Sequence, residues 1–124
     1  MKKEVNPQET GRSSAFKLWM SSPMPMVTLV KTMDVSRLIK YSKRHKLSLN
    51  MLMCWCIGKA ASQMSEFYLL PERGKMYQYD RLAINVIVEN IRGSINSCDI
   101  PFSHDLQQFA KDYQHVTQKV CDSC

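Results

Sequence analysis

The stretch Leu47–Met64, LSLNMLMCWCIGKAASQM, places the strongest constraint on the fold. Its apolar residues recur at helical spacing, and this pattern predicts a helix over about Leu49–Gln63 with Ser48 as its N-cap. One side carries Leu49, Leu52, Met53, Cys56, Ile57, Ala60 and Met64, and the other side carries Met51, Cys54 and Trp55. A helix that is apolar on both sides is typical of a buried position, so we expect it to lie between a sheet and another part of the protein.

The segments before this helix predict two helices and a strand. A short helix is expected over Thr10–Trp19, with Thr10 as its cap. Two prolines then exclude a helical continuation and lead into a β-prone strand over Met26–Met33. Ser36 is predicted to cap a basic helix over about Arg37–His45.

The segments after the central helix predict strands followed by a last helix. Residues 67–80 are typical of two short strands around a Gly74-Lys75 turn. Leu82–Glu89 alternates between an apolar face and a more polar one, as a half-buried strand does. Residues 94–101 continue extended, and a helix is expected over about His104–Thr117. This mixture predicts an α/β (α+β) sandwich in which helices cover one face of a mixed sheet.

Length and composition indicate a globular protein. We expect one domain over residues 1–124, with flexible ends at residues 1–11 and 118–124. The hydrophobic share of 44% is that of an ordinary folded chain, which excludes a linker or low-complexity protein. The chain shows no secretory signal and no stretch long enough to span a bilayer. Five cysteines without a regular framework indicate reduced thiols, so a soluble cytoplasmic protein is predicted.

Positive charge is concentrated in one short segment. The formal net charge is +6, and residues 31–46 contain six Lys and Arg residues against Asp34 alone. Arg37, Lys40 and Arg44 are spaced three and four apart, so they form one ridge of a helix. Such a ridge suits the phosphates of coenzyme A or of nucleic acid, and the alternative is a solvated helix face. Tyr41 is the only Phe, Tyr or Trp residue among these charges, which makes nucleic acid the less favoured partner.

The histidines and cysteines do not form a recognisable catalytic or metal motif. His45 is expected at a helix C-terminus, where an imidazolium favours the helix dipole. His104 and Asp105 are adjacent in a helical turn and point to different sides, which disfavours a dyad. Cys121-Asp-Ser-Cys124 is a C-x-x-C string without a second pair at ligand spacing, so no metal is expected.

Several strings, in this order, resemble the N-terminal half of the chloramphenicol acetyltransferase family. They are FKLWMSSPMPMVTLVKTMDVSRL, IGKA, SEF and GKMYQYD, within Ala15 to Tyr113. Asp34-Val35-Ser36 stands where the family has Asp-Val-Thr, and Tyr79-Asp80 where it has a Tyr-Asp pair. The next string, RLAINVIVENIRGSI, is more similar to the acyltransferase core of 2-oxoacid dehydrogenase complexes. Chloramphenicol itself is therefore not the expected acceptor.

The resemblance implies transfer of an acyl group from acyl-coenzyme A to a small hydroxyl or thiol acceptor. The family's catalytic base is a histidine in a His-His-x-x-x-Asp-Gly string, and residues 1–124 contain no such string. That imidazole takes the proton of the attacking acceptor. We therefore assign no catalytic residue, expect no covalently bound cofactor, and expect this chain alone to be inactive.

The resemblance also implies a homotrimer with an acceptor pocket between subunits. By position, the candidates for the pocket wall are Met24, Met26, Asn85, Ile87 and Glu89. The candidates for the phosphates of the acyl-coenzyme A are Arg37, Lys40 and Arg44. The alternative hypothesis is a non-catalytic binding or oligomerisation module, in which the two-sided apolar helix and an open sheet edge associate with other copies.

Overall fold

The computed structural model describes residues 1–122. The strands are β1 Lys2–Val5, β2 Leu69–Glu72, β3 Lys75–Tyr79, β4 Ala83–Glu89 and β5 Ile95–Pro101. The helices are α1 Ser13–Ser21, α2 Ser36–His45, α3 Leu49–Ser62 and α4 Leu106–Asp122, with 3-10 turns at Pro7–Glu9 and Ser65–Tyr68. No helix among residues 1–122 has the length and apolarity needed to cross a membrane.

The strands form two small antiparallel sheets, so the α+β class is confirmed. The first sheet has the order β1-β3-β2, and the second pairs β4 with β5. The β2–β3 hairpin turns at Arg73-Gly74, where both residues have positive φ, at 53° and 79°. Positive φ at both central residues is the type I′ geometry that matches the twist of a two-residue hairpin. This turn lies one residue before the predicted one.

The hydrophobic core lies between the β4–β5 sheet and helices α3 and α4. Its buried residues are Met51, Leu52, Val86, Cys98, Ile100, Phe102 and Phe109. The predicted inward face of β4 is confirmed, since Val86 is buried and Ile84 and Val88 are half-buried. Helix α4 packs against both strands of this sheet and against α3. The core is therefore built from the last two strands and the two longest helices.

The predicted strand over Met26–Met33 is wrong. Residues 22–35 belong to no helix or strand, and residues 17–34 are all exposed. In the part of the chain that the structure describes, the hydrogen bonds do not involve the backbone of residues 23–33. A β-prone composition makes a strand only when a neighbouring strand pairs with it, and residues 1–122 place none beside this segment.

Helix and terminus boundaries also differ from the predictions. Helix α1 begins at Ser13, because the Thr10 hydroxyl donates to the carbonyl of Pro7 in the preceding 3-10 turn. Ser36 lies inside α2, where its N–H and hydroxyl both donate to the Asp34 carboxylate. Residues 2–5, predicted within a flexible end, form β1, which pairs with β3 through residues 76–79. That partner lies about seventy residues away in sequence, so no local pattern indicates it.

Candidate functional site

The basic ridge of α2 is assembled as predicted. Arg37, Lys40 and Arg44 are all exposed on this helix. Lys46 caps α2 in the left-handed conformation, and the Ser42 hydroxyl donates to the carbonyl of Leu47, 2.6 Å away. The helix dipole favours the cations of its last turn. The chain thus presents a row of positive charge to solvent along one helix.

Carboxylates elsewhere in the described residues do not neutralise this ridge. The ion pairs of residues 1–122 join the N-terminus to Asp80, Lys2 to Glu72 and Lys75 to Glu4. Hydrogen bonds from Lys2 lower the pKa of Glu72, and those from the N-terminus lower the pKa of Asp80. All three pairs lie within or beside the three-stranded sheet. The cations of α2 are left available for an external anion.

Three predicted wall residues share the outer face of β4. Asn85 donates from Nδ2 to Oδ1 of Asp99 across the β4–β5 pair, at 2.8 Å. Ile87 lies opposite Ser97 with 67% of its surface exposed, and Glu89 lies opposite Ile95. The strand alternation turns all three away from the core. They form an open surface with an apolar centre and polar ends.

Met24 and Met26 lie in the connection between α1 and α2, and not at the start of a strand. Their exposed fractions are 74% and 73%. At this exposure the two side chains do not line an enclosed pocket. The structure therefore groups Asn85, Ile87 and Glu89 on one surface and leaves the two methionines outside any described strand.

The three histidines do not form a catalytic dyad within residues 1–122. The His45 ring lies 4.1 Å from the Tyr41 ring, measured between centroids, at the C-terminal end of α2. His104 packs edge-on against Phe102 at 5.1 Å. The neighbouring Asp105 carboxylate accepts the N–H of Gln107 instead of orienting the imidazole. The ion pairs of residues 1–122 give none of the three histidines a carboxylate partner.

Two of the cysteines, Cys54 and Cys98, are poor candidates for nucleophiles. Burial raises the pKa of the Cys54 and Cys98 thiols, and Asp99 raises that of Cys98 further. A protonated thiol neither attacks a thioester nor binds a metal well. Residues 1–122 contain no cluster of three His, Cys, Asp or Glu side chains suited to a metal ion. Cys124, the second cysteine of the C-x-x-C string, lies outside the described residues.

A cavity that the sequence analysis missed lies between α1 and the β2–β3 hairpin. Its volume is about 210 Å³, and its lining is Arg12, Ala15, Phe16, Trp19, Leu69, Leu70, Pro71 and Met76. The signal in the sequence was the placement of Phe16 and Trp19 on one face of a short helix. Their partner surface could not be inferred, because it is a hairpin fifty residues further along the chain.

Comparison with known proteins rests on structure. No protein-family model and no curated protein sequence matches the chain. A solved structure described as chloramphenicol acetyltransferase matches with a TM-score of 0.83 over 100% of this chain, at 15% sequence identity. The chain has a chloramphenicol acetyltransferase-like fold. It spans 59% of the length of that neighbour, and at this identity the likeness concerns the fold alone.

Proposed function

We propose that the chain is part of an acyltransferase that moves an acyl group from acyl-coenzyme A to a small hydroxyl or thiol acceptor. The chloramphenicol acetyltransferase-like fold over the whole chain is the observation that carries this proposal. The exposed ridge of Arg37, Lys40 and Arg44 adds to it, because rows of unpaired cations suit the phosphates of coenzyme A. Cysteines without a regular disulfide framework favour a reducing, cytoplasmic location for this chemistry.

The reaction needs a base that the described residues do not supply. The acceptor oxygen or sulfur attacks the thioester carbonyl, its proton passes to the base, and the thiol of coenzyme A leaves. None of the three histidines forms an ion pair with a carboxylate within residues 1–122. We therefore assign substrate binding to this chain and the catalytic base to protein outside these residues. The chain alone should show no turnover.

The acceptor wall is proposed on the outer face of β4. Asn85, Ile87 and Glu89 would meet the acceptor there. Met24 and Met26, in the exposed connection between α1 and α2, would join this wall only on assembly. An apolar side chain flanked by an amide and a carboxylate suits a small acceptor with one polar group. Assembly as a homotrimer, with the wall of one subunit facing the next, is part of this proposal.

Acetyl-coenzyme A is expected to raise the thermal unfolding midpoint of the purified chain. A ligand at one hundred times its Kd adds about 2.7 kcal/mol to the native state. Changing Arg37, Lys40 and Arg44 together to Gln should remove most of this increase, because the phosphates lose their partners. The measurement is differential scanning fluorimetry at increasing acetyl-coenzyme A.

The matched control changes three exposed lysines outside α2, namely Lys17, Lys111 and Lys119, to Gln. It removes the same charge and should keep the increase in the midpoint. An unchanged midpoint in the parent chain would refute coenzyme A binding. An equal loss in both triple variants would mean that net charge alone, and not the ridge, attracts the ligand.

A second candidate function is favoured by the uncovered side of α3. Its exposed apolar residues recur at helical spacing and are Met53, Cys56, Ile57 and Ala60, and the exposed Met64 follows just after the helix. Ile57 is 62% exposed and Met64 is 50% exposed. A continuous apolar stripe of this kind marks a protein interface. We therefore propose, as the alternative, a non-catalytic module that associates through this side of α3.

Ile57→Lys is expected to shift the sedimentation profile of the chain from oligomer to monomer. The charge would have to be buried in the interface, whereas in the separate chain Ile57 is already exposed and its loss costs little stability. Gln63→Lys, at an exposed polar position just after α3, is the control and should leave the profile unchanged. A parent chain that sediments as a monomer at high concentration would contradict this alternative.

A further inference from the structure

The cavity between α1 and the β2–β3 hairpin has a closed floor and an open rim. Met76 and Leu69 form the floor, with exposed fractions of 3% and 9%. Trp19 and Leu70 line the same cavity but are 40% and 50% exposed, so they lie where it meets solvent. The cavity is thus an apolar recess that a small molecule can enter from the surface.

One charged group lines this recess. Arg12 lies at the N-cap position of α1, and its Nη1 donates to the carbonyl of Glu66 at 3.0 Å. This bond holds the guanidinium in place and uses one of its five N–H groups. Among residues 1–122, the Arg12 side chain forms no ion pair with a carboxylate. Arg12, a half-buried residue beside an apolar wall, is therefore left with donors to spare.

Two acidic residues of the β2 segment, Glu66 and Glu72, use their carboxylates elsewhere. Glu72, at the end of β2, pairs with Lys2 and accepts from the Tyr79 hydroxyl. Glu66 offers Arg12 its backbone carbonyl, while its carboxylate accepts from the Ser65 hydroxyl. Neither carboxylate forms an ion pair with Arg12, whose side chain lines the cavity. A guanidinium fork matches the two oxygens of a carboxylate.

The size of the recess limits the apolar part of its ligand. At about 30 Å³ per liquid water, 210 Å³ holds roughly seven waters. That is less than the 300 to 1,000 Å³ typical of drug-sized sites, roughly the space for one ring with a short branch. We propose that this recess binds a small monocarboxylate with a single-ring apolar body, its carboxylate on Arg12 and its ring between Phe16 and Met76. This proposal does not depend on acyl transfer.

The two tryptophans provide a reporter of binding and a control within one sample. Trp19 lines the recess, whereas the indole of Trp55 donates to the carbonyl of Ser103 in the other part of the fold. We would titrate the ¹⁵N-labelled chain with 4-tert-butylbenzoate and follow both indole N–H signals by NMR. The expected result is a saturable shift at Trp19 with Trp55 unchanged, and binding about tenfold tighter than that of the neutral amide, 4-tert-butylbenzamide.

Three variants separate charge from shape. Arg12→Met should weaken binding of the acid about tenfold and leave the amide unaffected, because only the acid uses the guanidinium. Ala15→Phe should fill the recess and abolish binding of both probes while keeping the Arg12 bond to Glu66. Lys17→Met removes a cation from the same helix outside the recess and should leave both affinities within about twofold.

Three results would overturn the proposal. They are the absence of a saturable Trp19 shift at millimolar probe, equal affinity for acid and amide, and parallel shifts at both tryptophans that indicate unspecific binding. If Arg12→Met does not fold, the comparison of acid with amide in the parent chain and the Ala15→Phe variant decide the matter without it. Unchanged binding in Ala15→Phe would also refute this location.

Discussion

Phe109→Ala is expected to lower the free energy of unfolding by about 3–5 kcal/mol, the usual cost of removing a buried aromatic side chain. Phe109 is fully buried on α4, with its ring 6.2 Å from that of Phe102 and 6.4 Å from that of Tyr113. The alanine would leave a cavity between the helix and the β4–β5 sheet. The total free energy of unfolding of a small domain is only about 5–15 kcal/mol, so this loss is a large share of it. Urea unfolding followed by circular dichroism measures the change.

Phe67→Ala is the matched control for this substitution. Phe67 is 51% exposed and lies in the 3-10 turn before β2, so truncating it should cost well under half as much. Equal costs for the two variants would mean that the core does not lie where the structure places it. A small cost for Phe109→Ala alone would mean that the surrounding chain collapses into the space.

Gly58→Val is the second substitution with a large expected effect. A Cβ atom at Gly58 would lie 2.6 Å from Cδ2 of Phe102 and 3.1 Å from Cδ1 of Ile84. Phe102 is itself buried, at 8% exposure, so its ring has little room to move aside. Overpacking of this kind costs about 1–3 kcal/mol of stability and occasionally more. The two further methyl groups of valine place the expected cost at the upper end of this range.

The outcome for Gly58→Val separates helix propensity from packing. Valine is the better helix former of the two, so an isolated α3 would gain stability from the change. Thermal unfolding should instead show a lower midpoint, because the close contact of α3 with the β4–β5 sheet dominates. Gly11→Val, where the added atom meets nothing within 4 Å, is the control and should change the midpoint little. An unchanged midpoint for Gly58→Val would contradict the close approach of the helix to the sheet.

The candidate site was predictable where it rests on local spacing. The ridge of Arg37, Lys40 and Arg44 follows from helical periodicity, and the common outward face of Asn85, Ile87 and Glu89 follows from strand alternation. Neither depends on a distant part of the chain. The recess at Arg12 was not predictable, because its two walls are α1 and a hairpin that are separated by some fifty residues in sequence.

The sequence by itself determined the helices α2 and α3, the cap at Ser48 and the inward face of β4. These features depend on neighbours within a few residues, through turns, caps and periodicity. Only the tertiary structure decided that residues 2–5 pair with β3 and that Met26–Met33 forms no strand. A strand exists through a partner at any distance along the chain, so composition alone can neither supply nor exclude that partner. The same dependence leaves one side of α3 exposed, although its sequence is that of a helix covered on both sides.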